Sequence, residues 1–164
     1  MAGLKEQVLT MEQMNHLRKI GVDTTQSSVV LIFKDDEGED VPWEDVTFVD
    51  DTPYFVDYDG QKSELYPEYL DAENGDYDHS FRDDCGVFML TDIWNVLPKE
   101  IINKDSLYRY YLDEHCSKDD NDFEISYITN DDTRCINAYF DMDFKNAAYK
   151  MLCWVAENNY LMKS

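Results

Sequence analysis

The sequence predicts an α+β fold, an antiparallel sheet with an N-terminal, a short central and a C-terminal helix packed mainly on one face. Three observations carry this expectation. Apolar residues recur at helical spacing near both ends, at Met11, Met14, Leu17 and Ile20 and again at Phe144, Ala147, Ala148, Met151, Leu152 and Val155. Between them lie β-branched and aromatic stretches, headed by Val29 to Phe33. Asp- and Asn-rich turns separate those stretches at hairpin lengths. A chain of 164 residues is long enough to bury one core, so a single domain over 1–164 is expected, with an acidic strand and loop region at 35–84.

Thr10 and Gln13 have the spacing of a capping box, and Gly21 supplies a left-handed stop, so the first helix ends near Ile20. Leu4 and Val8 extend the same stripe backwards and allow an earlier start at Gly3. Val29 to Phe33 is apolar throughout, as expected of a central strand covered on both faces. Val46 to Val49 and Tyr54 to Tyr58 read as an antiparallel hairpin, with turn clusters at Asp35 to Asp40 and around Asp50 to Pro53. From Gln61 to Gly86 no clean period remains, and the stretch reads as an irregular surface excursion.

Thr91 is the expected cap of a short helix from Asp92 to about Leu97, with Ile93, Trp94 and Leu97 inward and Pro98 ending it. Leu107 to Leu112, Phe123 to Thr129 and Ile136 to Met142 form an antiparallel meander. Phe123, Ile125 and Tyr127 share one face of the middle strand, and Ile136, Ala138, Phe140 and Met142 one face of the last. Asp143 caps the final helix, and Asn158 and Asn159 stop it, leaving Tyr160 and Leu161 to pack back.

The formal net charge is −22, and it is regional: residues 35–84 hold nineteen carboxylates against two cations, Lys62 and Arg82. Such a chain is repelled by nucleic acid and by anionic membranes, so neither is an expected partner. Twelve Tyr, eight Phe and three Trp give it the apolar area that a solvated acidic tail lacks. There is no Cys-x-x-Cys pair, signal peptide, lipidation motif or apolar run long enough to cross a bilayer. A soluble protein of the reducing cytoplasm, with four free thiols, is expected.

No catalytic signature and no cofactor motif is present. His115 and Cys116 are adjacent on a strand, so they point to opposite faces and form no thiolate–imidazolium couple. Asp71, Glu73, Asp76 and Asp78 around Gly75 have the oxygen chemistry of a calcium loop but lack the EF-hand spacing, and a divalent-cation module or enzyme built on the 71–84 loop stands as the alternative from a different class. The acidic stretch alternates with aromatics, which together accept Arg and Lys by ion pairing and cation–π contact. The pairs Glu37/Glu39, Asp57/Asp59 and Asp76/Asp78, if extended, would set carboxylates about 6.5–7 Å apart, close to the phosphate step of a DNA strand. With Tyr58 and Tyr69 these six acids are the predicted partner-binding residues.

The stretches Met11 to Thr25 (MEQMNHLRKIGVDTT), Leu90 to Lys99 (LTDIWNVLPK) and Ala147 to Leu161 (AAYKMLCWVAENNYL) resemble small acidic proteins of Bacteroidales phages and integrated mobile elements. The resemblance covers the two ends and the central helix and leaves out the acidic middle. It assigns no residue a role; what it implies is an accessory, anti-defence setting. The expected function is therefore non-enzymatic: an acidic protein, a phage-type inhibitor or DNA mimic, that occupies a basic surface of a host nucleic-acid-processing or defence protein. An immunity-type protein neutralising a cationic toxin is the variant within the binding class, and exposed aromatics leave a homodimer open.

Overall fold

The computed structural model describes residues 4–41, 45–49, 52–56, 59–71, 86–116 and 122–161, and these form helices and antiparallel sheets, an α+β fold. The chain divides into two compact units: Met1–Lys19 with Asp23–Met89, and Ile20–Val22 with Leu90–Ser164.

Unit 1 opens with α1 (Leu4–Gln7) and α2 (Met11–Lys19), separate helices because the chain between them is extended. Val8 forms an antiparallel bridge with Met89, and the Leu9 amide donates to the Phe88 carbonyl at 2.9 Å. The capping box then starts α2: the Gln13 amide donates to Thr10 Oγ1 (3.1 Å) and the Thr10 amide to Gln13 Oε1 (2.9 Å), satisfying two donors that a helix start leaves open. Met14 and Leu17 are fully buried. On the same helix Arg18 donates to the Gly86 carbonyl (2.6 Å) and to Thr24 Oγ1 (3.1 Å). Gly21 takes φ +93°, the left-handed stop that its missing Cβ permits.

β1 (Val29–Lys34) is central and its five apolar residues are buried. β6 (Tyr66–Asp71) pairs with it along its whole length, while β2 (Asp40–Val41) and β7 (Gly86–Val87) pair with its two ends. A second sheet holds the hairpin β3 (Val46–Val49) and β4 (Thr52–Val56), with β5 (Lys62–Glu64) against β4. Tyr58, the predicted end of that hairpin, lies outside the described residues. The predicted irregular excursion is corrected at its start, since Lys62–Glu64 and Tyr66–Asp71 are strands. Their polar residues and Pro67 hide the pattern, and pairing with the apolar β1 overrides local preference.

In unit 2, α3 (Leu90–Val96) begins two residues earlier than expected, so Thr91 lies inside its first turn instead of capping it. Met89, held in its bridge to Val8, is the last extended residue before the helix. β8 (Glu100–Ile102), β9 (Arg109–Cys116), β10 (Phe123–Ile128) and β11 (Cys135–Asp141) form a meander in the order β11-β10-β9-β8. α4 (Phe144–Glu157) packs on the Phe123–Ile125–Tyr127 face, with ring centroids 5.4 Å apart for Phe123–Phe144 and 6.3 Å for Tyr127–Trp154. Ala147, Ala148, Met151, Leu152 and Val155 are its buried stripe. Asp143 caps it by accepting from the Lys145 amide, Asn159 at φ +61° ends it, and Tyr160 packs back on Trp154 at 5.4 Å.

The two apolar faces named in the sequence lie on opposite sides of this sheet. The register pairs Ile125 with Tyr139 and Tyr127 with Asn137, so Tyr139 and Asn137 share the helix-bearing face, while Ala138 and Phe140 lie on the other. Phe140 is 59% exposed and Met142, beyond the strand, 76%. An irregularity between Tyr127 and Ile128 sets this register, and a one-residue change of register turns every side chain over.

Candidate functional site

Among the described residues of unit 1, a group of acidic side chains lies where β1 ends. After Lys34 the chain turns through Asp35 to Glu39 into β2, and the turn is closed by Asp35 itself. Its Oδ1 accepts from the Glu37 and Glu39 amides, both at 2.9 Å, its amide donates to the Glu39 carbonyl, and Gly38 at φ +80° makes the reversal. Across the sheet, Tyr66 pairs with Lys34 and Glu68 with Ile32. Lys34 Nζ therefore lies between two strands' carboxylates, 3.3 Å from Glu68 and 3.8 Å from Asp40. One residue, Leu65, separates β5 from β6, so Glu64 enters at the same end.

Asp36, Glu37, Glu39, Asp40 and Glu64 are exposed, Glu68 is half-exposed and Tyr66 is 51% exposed. Five of these carboxylates, in the β1–β2 turn, on β2 and on β6, thus stand toward water at this end of the sheet, with two of them against the Lys34 ammonium, and Glu64 precedes β6 by two residues. Along the face that Lys34 and Glu68 share, Val30 and Ile32 with Leu70 form a small apolar cluster. In the other sheet of this unit, a tyrosine paired with Glu64 already collects a cation: Lys62 Nζ sits 5.7 Å from the Tyr54 ring centroid.

Of the predicted partner-binding residues, Glu37 and Glu39 fall in this cluster, but on a closed turn. The extended backbone behind the phosphate-step spacing is absent there, because two backbone amides converge on Asp35. Asp59 is exposed in a separate turn with Gly60 at φ +78°. Tyr69 pairs with Leu31 inside the sheet and is half-buried; burial first, and the charge of Glu6 second, push its phenol up. Asp57, Tyr58, Asp76 and Asp78 lie outside the described residues. So does Glu73 of the predicted calcium loop, whose first member, Asp71, closes β6. Among the described residues no group of three His, Cys, Asp or Glu side chains could hold a metal ion.

His115 and Cys116 are both exposed and pair with Glu124 and Phe123, hence on opposite faces of the sheet. Burial pushes the Cys135 and Cys153 thiols up, away from the reactive thiolate. No helix of the described residues is long and apolar enough to cross a membrane. No family model, curated protein or solved structure matches the chain. Asp36, Asp40, Glu64, Tyr66 and Glu68, which complete the group, were not among the predicted site residues. The signal that could have found them is the apolar run Val29–Phe33, whose central place requires strands on both edges and brings their polar residues to its end.

Proposed function

We propose that this chain is a non-enzymatic, cytoplasmic binding protein whose acidic sheet end occupies a basic surface of a protein partner. The partner is a host nucleic-acid-processing or defence protein, and the setting is that of a phage-type inhibitor that mimics the charge of DNA. One observation supports this reading above the others: Asp36, Glu37, Glu39, Asp40 and Glu68 are brought to one end of a sheet, in water, with Lys34 against two of them, and Glu64 stands exposed two residues before that sheet's edge strand. Exposed ion pairs are weak, about 0–1 kcal/mol, so Lys34 leaves most of that charge uncompensated. Guanidinium and ammonium groups of a partner relieve the remaining repulsion, speed the encounter by long-range attraction, and stack on rings such as Tyr66.

The test uses the full chain as bait for a Bacteroidales lysate, beside a variant carrying D36N, E37Q, E39Q, D40N, E64Q and E68Q. Asp35 is retained because it closes the turn. Basic nucleic-acid-binding proteins should be held at about 50 mM salt, where charge is little screened, and released by duplex DNA or by about 500 mM salt. The variant should keep the circular dichroism of the parent and lose them. Equal retention by the two baits would refute the reading, as would retention insensitive to salt and DNA.

A further inference from the structure

In unit 2 the turn between β10 and β11 and the loop before β9 flank an open surface cleft of about 290 Å³ lined by Tyr108, Arg109, Thr129, Asp131, Thr133 and Arg134. Both walls are built before any ligand arrives. In the loop, Asn103 Oδ1 accepts from the Asp105 and Ser106 amides (2.9 and 3.0 Å), its amide donates to the Tyr108 carbonyl, and Leu107 is held at φ +62°. In the turn, Asp131 Oδ1 accepts from the hydroxyls of Thr129 and Thr133, both at 2.7 Å, and from the Thr133 amide at 3.2 Å. The Arg134 amide in turn donates to Thr129 Oγ1.

Arg134 Cζ lies 4.4 Å from the Tyr108 ring centroid, so the ring holds the guanidinium by its face and leaves the N–H donors in its plane. Among the described residues the Arg134 guanidinium donates no hydrogen bond. Arg109 has one ion pair, to Glu100 at 3.7 Å, and that pair is half-exposed and loose. The local carboxylate, Asp131, is engaged by three donors of its own turn. Two guanidiniums with open donors therefore line one concave volume, in a unit that holds 14 acids and 8 bases. Nothing in charge balance requires them to converge.

We propose that this cleft binds a small organic oxyanion, a phosphate monoester or a carboxylate, through Arg109 and Arg134, with its organic part against Tyr108. Guanidinium forks match the planar pair of oxygens that either group presents, and charge-assisted hydrogen bonds are the strong ones. The volume admits one ring with its acid group. The site is independent of the acidic end of unit 1.

The test is an amide NMR titration of the full chain with phenyl phosphate and, separately, phenylacetate, against sodium chloride at equal ionic strength. Saturable shifts should be confined to residues 108–109 and 129–134, and the tighter of the two probes names the acid group. R109Q and R134Q should each weaken binding about tenfold with the remaining spectrum unchanged, and R134K should also weaken it, because a point charge replaces the fork. Shifts no larger or more localised than chloride produces with either probe would overturn the proposal. So would unchanged affinity in R109Q and R134Q.

Discussion

The turn after β1 in unit 1 and the turn after β10 in unit 2 are both closed by an aspartate, Asp35 in one and Asp131 in the other. Around Asp131 the neighbours are threonine hydroxyls and two arginines; around Asp35 they are further carboxylates. The units differ accordingly in charge, with 22 acids and 6 bases in unit 1 against 14 and 8 in unit 2. Acidic side chains in this protein therefore do two kinds of work. Asp23, Asp35, Asp131, Asp141 and Asp143 accept backbone amides nearby and shape the chain. Glu37, Glu39 and Glu64 stand in water, and theirs is the charge a partner can meet. A count of carboxylates merges the two groups, and only hydrogen-bond geometry separates them.

The division into units is tested most severely in the cores. Phe33→Ala should destabilise by about 3–5 kcal/mol and Ile125→Ala by about 2–5 kcal/mol, since both side chains are buried and each leaves a cavity. Hydrogen exchange should locate the losses: first in 29–34 and 66–71 for Phe33→Ala, and in 109–116 and 135–141 for Ile125→Ala. Uniform loss of protection across the chain in either variant would remove the division.

A smaller effect separates the two units by the kind of bond that ties distant segments. In unit 1 Arg18 joins α2 to the Gly86 carbonyl, whereas in unit 2 the Tyr127 hydroxyl joins β10 to the Pro98 carbonyl at 2.8 Å. Arg18→Met should cost about 1.5–3 kcal/mol, because the bond it breaks is charge-assisted, and Tyr127→Phe about 0.5–1.5 kcal/mol. Urea melts would reverse this order if the Arg18 bond were merely superficial.

The least effect belongs to the Asp131 turn. Hydroxyl donors from Thr129 and then Thr133 hold its carboxyl below the ordinary 3.8, at about 2. The folded chain thus takes up this proton less readily than the unfolded one. The turn's contribution is complete above pH 3.8 and is lost as pH falls toward about 2. Carboxyl NMR should place the midpoint near 2 and, in Thr129→Val with Thr133→Val, move it back up; an unmoved midpoint would detach the shift from those hydroxyls.

Much of the local structure was readable from short stretches. The reciprocal Thr10–Gln13 cap, the Asp143 cap, the Val29–Phe33 strand and the meander each depend on residues a few positions apart, where hydrogen bonding and periodicity act directly. The outward face of β11 was not readable, because Ile136, Ala138 and Phe140 alternate like an inward-facing apolar set and the irregularity at Tyr127 turns them away from the helix-bearing face. Nor was β6, whose polar residues acquire a strand's role only beside β1.

The candidate sites divide along the same line. That Glu37, Glu39 and Asp59 face water follows from their chemistry and their turn-forming neighbours. That Glu68 reaches Lys34, across 34 positions of chain, and that Arg134 covers Tyr108, across 26, follows from strand pairing. Helix caps, turns and apolar stripes were written into the order of the residues, since their energies come from near neighbours. Which charges meet, and which face of a strand looks outward, was settled only when distant strands docked, because register is a property of the pair and of the core that both must cover.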